Sequence, residues 1–271
     1  MKIVFFGSSS YVVPVMEELK RKFEIEFVVT TEKENGAVPK FCSDSGLPYL
    51  SLSSFDKNHQ SKVAILADFG LILPPDILNS FEYGILNIHP SLLPKYRGPT
   101  PVQNVILSNE RETGVSVIKL DEKMDHGPIL AQETIGIQSN ETSEDLYKKL
   151  FPLGARLVVE NLEEYISGEL KPVPQDHSKA TYTKLLKRED GYVDISKIKN
   201  QKSKIEFERK VRALYPWPGT WTNVRIENSE LRIKFLPGKK VQVEGKKPVS
   251  YKDFINGYPD IDKKLLELLK N

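Results

Sequence analysis

Short, unbroken apolar runs separated by amphipathic stretches fill the first half of the chain. Lys2–Phe6, Ile25–Thr30, Val63–Ala67 and Ile85–His89 are the clearest of these runs. Strands apolar on both sides belong to a mostly parallel sheet covered on both faces. Between them Val12–Lys20 predicts a helix, and Glu34–Pro39, with Gly36 and Pro39, predicts a loop. Val102–Ser108 predicts a helix after a proline-rich loop. Gly114–Leu120 alternates apolar and polar positions, as a half-buried strand does, and Pro128–Ile135 reads as its partner. A long helix is expected over Thr142–Ser167, with Thr142 as N-cap, Asp145 at the third helical position and Gly168 as its stop. Strands alternating with helices predict an α/β fold with a doubly wound, mostly parallel sheet.

The pattern changes after residue 168. Pro172 and Pro174 interrupt a stretch rich in Lys, Asp and Ser, which reads as a linker or extended crossing as far as residue 204. Ile205–Leu214 predicts a short helix. Thr222–Glu227, Leu231–Leu236 and Lys239–Gly245 are strand-like pieces, and Asp262–Leu269 a final short helix. The expected organisation is a main domain over residues 1–178, a linker over 179–204 and a small β-rich, barrel-like domain over 205–271. A domain that small sits near the lower limit for an independent core.

Composition narrows the class. No apolar run approaches the roughly 18 residues that a membrane span needs, so no membrane partner is expected. The first residues, MKIVFFGSSS, are too briefly apolar for a signal peptide and suit a buried first strand. Cys42 is the single cysteine, which excludes an intramolecular disulfide and suits a reduced, cytoplasmic protein, with the thiol incidental beside a loop. Net charge is only +2 but uneven. Residues 181–271 hold 21 Lys and Arg against 12 Asp and Glu, whereas residues 1–180 hold 18 against 25. An acidic front and basic back fit either a docking polyanion or simple solubility.

Candidate chemistry is densest in LNIHPSLLPKYRGPTP, residues 86–101. Asn87 and His89 stand two apart at a strand end, so their side chains leave the same face. Ligands of open α/β sheets sit beyond such strand ends. A side-chain amide can hold a developing oxyanion, and an imidazole can move a proton or, when charged, stabilise that oxyanion. A lone strand histidine also has a purely structural role open to it. Pro90 and Pro94 make the following loop rigid, as holding a ligand requires. Asp125, in KLDEKMDHGPIL, fits two roles: an ordinary Asp-x-Gly turn, or a carboxylate near His89 that favours its charged form. His126 reads as loop surface.

The order Asn-x-His-Pro-Ser-Leu-Leu-Pro-x-x-Arg-Gly, Thr-Gly-Val and Met-Asp-x-Gly-Pro-Ile resembles the folate-dependent formyltransferase family. The resemblance implies a catalytic set of Asn87, His89 and Asp125. It places the folate-contacting segment on Ser91, Leu92, Leu93 and Pro94. Phe69–Leu78, Ala180–Ser196, Tyr215–Thr222 and Val241–Pro259 resemble the branch that formylates methionyl-tRNA, so the likeness spans nearly the whole chain. That branch implies 10-formyltetrahydrofolate as donor, methionyl initiator tRNA as partner, no metal, and a monomer. Two elements are shorter than in that branch: Thr30–Cys42, with only Lys33 and Lys40 as cations, and the stretch from Trp221 to Gly245. Sugar-nucleotide N-formyltransferases are the nearest alternative, with the same donor and chemistry. A formyltetrahydrofolate hydrolase would usually carry a regulatory domain ahead of a catalytic domain that here begins at Met1. Asn87, His89 and Asp125 speak against a non-catalytic RNA-binding scaffold. A dinucleotide dehydrogenase is excluded because Phe6–Val12 lacks the Gly-x-Gly-x-x-Gly fingerprint.

Overall fold

The apolar runs become strands. In the computed structural model, which describes residues 1–226, 229–259 and 261–270, the chain begins with β1 (Lys2–Gly7), α1 (Val13–Lys22), β2 (Glu24–Val29), α2 (Ala37–Ser45) and β3 (Tyr49–Leu50). It continues with β4 (Ala64–Ala67), α3 (Pro75–Leu78), β5 (Ile85–His89), α4 (Pro101–Leu107), β6 (Glu112–Lys119), β7 (Ile129–Gly136) and α5 (Ser143–Ser167). One seven-stranded sheet runs in the order β3-β2-β1-β4-β5-β6-β7. Strands β1 to β5 pair in parallel, and β6 and β7 join antiparallel.

Both faces of this sheet are covered, as a doubly wound fold requires. Val4, Phe6, Ala64, Leu66 and Ile85 share one buried cluster with Phe69, Leu73 and Ile77. The alternate residues point the other way. There Gly154 of α5 lies so close to β5 and β6 that an added Cβ would run into Ile88 and Val115. Asn87 and His89 fall on the Ile85 face because the strand period is two.

Two local expectations need correction. The predicted loop Glu34–Pro39 gives way to α2 at Ala37, because the Glu32 carboxylate accepts the Val38 N–H at 2.7 Å and satisfies a helix-start donor from outside the local pattern. Cys42 is therefore not beside a loop: it is buried within α2, and burial pushes its thiol up to about 11. The predicted cap of α5 forms reciprocally. Asp145 N–H donates to Thr142 Oγ1 at 3.2 Å, and Thr142 N–H donates to Asp145 Oδ2 at 3.0 Å.

The chain divides into two compact units. The first comprises Met1–Pro101, Glu112–Gly136 and Tyr147–Lys184; the second comprises Val102–Arg111, Ile137–Leu146 and Leu185–Asn271. In the first, the tail beyond α5 is extended but tied down. Val173 exchanges backbone hydrogen bonds with Ile129 at 2.7 and 2.8 Å, and Arg97 does the same with Thr181 and Thr183 at 2.9 and 2.7 Å.

The second unit holds α6 (Gln201–Ala213), β8 (Thr220–Ile226), β9 (Ser229–Leu236), β10 (Lys240–Val243), β11 (Val249–Ser250), α7 (Tyr251–Gly257) and α8 (Lys263–Lys270). The strand expected over Thr222–Glu227 is β8; Glu227 lies outside the described residues. The β-rich part is a four-stranded antiparallel sheet in the order β11-β10-β9-β8, with β11 and β8 at its edges. Ile233, Phe235, Val241 and Val243 pack there with Phe207, Val211, Phe254 and Leu265 in one apolar core. Among the described residues no helix is long and apolar enough to cross a membrane.

Candidate active site

Asn87 and His89 end β5 with 7% and 4% exposure, so neither is an ordinary surface group. A buried polar group needs a partner or forfeits about 1–3 kcal/mol. The loop that follows supplies one. Ser91 N–H donates to the His89 carbonyl at 2.8 Å, and Lys95 N–H to the Leu92 carbonyl at 3.1 Å. Ser116 of β6 stitches the loop down, donating to Ser91 O at 2.6 Å and accepting from Leu93 N–H at 3.1 Å. The Ser91 hydroxyl is spent on Lys95 O at 2.8 Å. Tyr96 then adopts the left-handed region, φ 61°, and presents its carbonyl to His89 Nε2 at 3.0 Å. A carbonyl only accepts, so Nε2 carries a hydrogen and the reactive freedom of the ring lies at Nδ1.

Nδ1 faces Asp125. The Asp125 Oδ1 atom is 3.6 Å from His89 Nδ1 and 3.4 Å from Asn87 Nδ2. Both separations are longer than ordinary hydrogen bonds. Oδ2 is held firmly by the Gly98 N–H at 2.7 Å. Asp125 has φ 48°, an uncommon conformation for a side-chain-bearing residue, so both roles open to it at the level of sequence coexist: it makes a turn and it faces His89. The turn depends on Gly127, where an added Cβ would strike the Lys119 carbonyl oxygen.

His126 departs from the expectation of free loop surface. It is half-buried, its Nδ1 lies 2.6 Å from Asp121 Oδ2, and its ring stacks on His177 with centroids 3.9 Å apart. Lost hydration holds His177 below the usual histidine range, reinforced by the charges of His126 and Arg97.

Beside Asn87 and Asp125 opens a cavity of about 170 Å3, walled by Leu66, Leu73, Leu78, Leu120 and Met124. Its rim exposes apolar side chains that cost hydration without a partner: Ile72 is 81% exposed, Leu71 51% and Met124 51%. Ser91, Leu92, Leu93 and Pro94 do not line this cavity. Ser91 and Leu93 are buried, and Leu92 and Pro94 keep part of their surface. Sequence reasoning missed Leu120–Met124 as cavity wall and the Tyr96 carbonyl as the partner of His89; the residue types gave no signal, because both act through position. Chemically, Asn87 Nδ2 and His89 Nδ1 both face Asp125 Oδ1 beside an apolar recess. Side-chain donors of this kind can stabilise an oxyanion that develops next to them.

The formyl transferase family matches residues 1–162 of this chain. A methionyl-tRNA formyltransferase of Roseiflexus castenholzii is 37% identical over 256 residues, covering 86% of this chain and 80% of its own length. One from Chloroflexus aggregans is 40% identical over 240 residues, covering 82% and 76%. Among solved structures, a 4-N formyltransferase from Francisella tularensis superposes with a TM-score of 0.69 at 18% identity, covering 88% of this chain and 98% of its own; that likeness speaks for the fold.

Proposed function

This chain belongs to the formyl transferase family, beside the methionyl-tRNA formyltransferases, and we propose that it moves the formyl group of 10-formyltetrahydrofolate to the α-amine of methionine esterified to initiator tRNA, for translation initiation. The observation that carries the proposal is the convergence of Asn87, His89 and Asp125 at the end of β5, beside an apolar recess.

The neutral amine attacks the formyl carbon. As the tetrahedral centre forms, its oxygen gains charge and needs donors already in place. The Asn87 amide and His89 Nδ1, side by side at the end of β5, provide them. Asp125 takes part in removing the amine's proton, directly or through water; the tetrahedral centre then collapses, the bond between the formyl carbon and N10 of the folate breaks, and N10 takes up a proton as tetrahydrofolate leaves. The exposed apolar rim of Leu71, Ile72 and Met124 offers a surface for the flat ring system of a folate. Of the segment assigned to the donor by resemblance, Ser91 to Pro94, Leu92 and Pro94 are the ones with side-chain surface left to offer a bound molecule. The surplus of Lys and Arg in residues 181–271 supports an anionic, tRNA-sized acceptor.

The test is a formyl-transfer assay with 10-formyltetrahydrofolate and charged initiator tRNA, with amino-sugar nucleotides in parallel. Formyl-methionyl-tRNA is the expected product. Transfer to sugar amines alone would keep the chemistry and overturn the acceptor.

A further inference from the structure

Asp125 must be held in two respects at once: a left-handed backbone at φ 48°, and a carboxylate aimed at His89. We infer that Gln175 and Arg97 are the positioning residues that hold it, an inference that rests on the catalytic role proposed for Asp125. Both are buried, at 6% and 1% exposure. Gln175 Nε2 donates to the carbonyls of Asp125, at 2.9 Å, and Gly127, at 2.7 Å. Its Oε1 accepts from Arg97 Nε at 3.3 Å and Nη2 at 2.7 Å. A flipped amide would set N–H against guanidinium and oxygen against two carbonyls, so the network admits one orientation.

Arg97 is fixed in turn. Nη2 also donates to His177 Nδ1 at 2.9 Å, and Nη1 to the Tyr182 hydroxyl at 3.2 Å. Both atoms accept these hydrogen bonds, since a guanidinium only donates. A buried guanidinium surrounded this way is costly to build and would be dispensable for packing alone. What the cost secures is geometric. The backbone of Arg97 is clamped by Thr181 and Thr183, and the next N–H, that of Gly98, holds Asp125 Oδ2 at 2.7 Å. Residues 97 and 98 thus fix the Asp125 carboxylate from one side and, through Gln175, its backbone from the other. Without the amide, two carbonyls lose their donor and the turn relaxes toward ordinary φ, moving the carboxylate off His89.

The closing experiment uses the full-length enzyme and whichever acceptor the parent formylates. Gln175→Glu keeps an oxygen for Arg97 and replaces the donor with a group that repels both carbonyls. The expected result is a fall in kcat of about 10- to 100-fold, the cost of a small misplacement, with the donor KM within about twofold. In an Asp125→Asn background the same change should slow the enzyme no further, since it acts through that carboxylate. Gln175→Met, similar in size and without a donor, repeats the test should the Glu variant fail to fold. Parent-like kcat in the single variant overturns the inference, as does a full additional loss in the double variant. Parent-like turnover of Asp125→Asn itself is a different failure: it removes the catalytic reading of Asp125, and the inference with it.

Discussion

The end of the large sheet around Asn87 and His89 and the C-terminal unit are built on opposite terms. At the first, polar groups lie inside: Asn87, His89, Arg97 and Gln175 are all below a tenth exposed, and His89, Arg97 and Gln175 hydrogen-bond to named atoms, often backbone. In the second, the largest core cluster, from Phe207 to Leu269, is apolar, and the buried polar groups beside it include Thr220, Thr222 and Glu141. Lys239, Lys240 and Lys252 gather in the open around the paired ends of β10 and β11. Under the proposed function the contrast reflects two tasks. Transferring a one-carbon group depends on position to a fraction of an ångström, and burial with full hydrogen bonding supplies it. Attracting a polyanion depends on charge density, which tolerates loose geometry. Substitutions of the buried polar groups in the first region should therefore act on turnover and be large, and those of exposed residues in either region should act on affinity and be small.

His89→Ala should show the largest effect. Removing one donor to a developing oxyanion costs about 10²- to 10³-fold, and removing the imidazole should reach the upper figure in kcat with the donor KM little changed. Steady-state kinetics in both substrates decide it, and turnover within tenfold of the parent would falsify the role given to His89. Next comes Gly127→Ala. The added methyl meets the Lys119 carbonyl oxygen, a backbone atom that cannot swing aside, so the turn carrying Asp125 must move. A drop of about 10²-fold in turnover is expected, with a stability loss of about 1–3 kcal/mol by thermal unfolding. Reduced stability with intact turnover would show that the turn tolerates displacement and that the site is less exacting than the contrast requires.

Ile72 tests the same region where it meets solvent. Its side chain is 81% exposed beside the cavity, a position where covering by a flat ligand would regain hydrophobic energy. Ile72→Ser should raise the donor KM about fivefold, equivalent to about 1 kcal/mol of apolar burial forgone, and leave kcat alone. An unchanged KM would move the donor away from this rim.

How far the site was legible follows the same division. Asn87 and His89 could be read because a strand has period two and its carboxyl end faces ligand, two facts independent of the rest of the fold. Asp125 was readable as a turn residue from Asp-x-Gly, and the resemblance assigned its catalytic role; its approach to His89, at 3.6 Å, became visible only in the fold. Gln175 was not readable at all. It lies 50 residues from Asp125 and directly after Pro172 and Pro174, which mark the stretch as a crossing segment. The start of α2 was hidden because its donor is satisfied by Glu32, outside the helix. Alternating strands and helices, in contrast, were enough for the doubly wound sheet, since burial on both faces leaves no choice of side-chain type.

The smallest effect should belong to a single lysine of the second unit. Lys252→Gln removes one exposed cation from the group formed with Lys239 and Lys240. If that group meets phosphates, removing one lysine–phosphate pair should lower the slope of log affinity against log salt by a little under one, and weaken acceptor binding only a few-fold at moderate salt. Filter binding or fluorescence titration of initiator tRNA across a salt series measures both quantities. The slope matters more than the affinity. A shallower slope with kcat unchanged would mean that the cations act as diffuse charge, as their exposure implies. Complete loss of binding at every salt concentration would mean that Lys252 sits in a fixed, geometry-dependent pairing. In that case the C-terminal unit recognises its partner by the same exact placement as the site around His89, and the contrast between the two regions disappears.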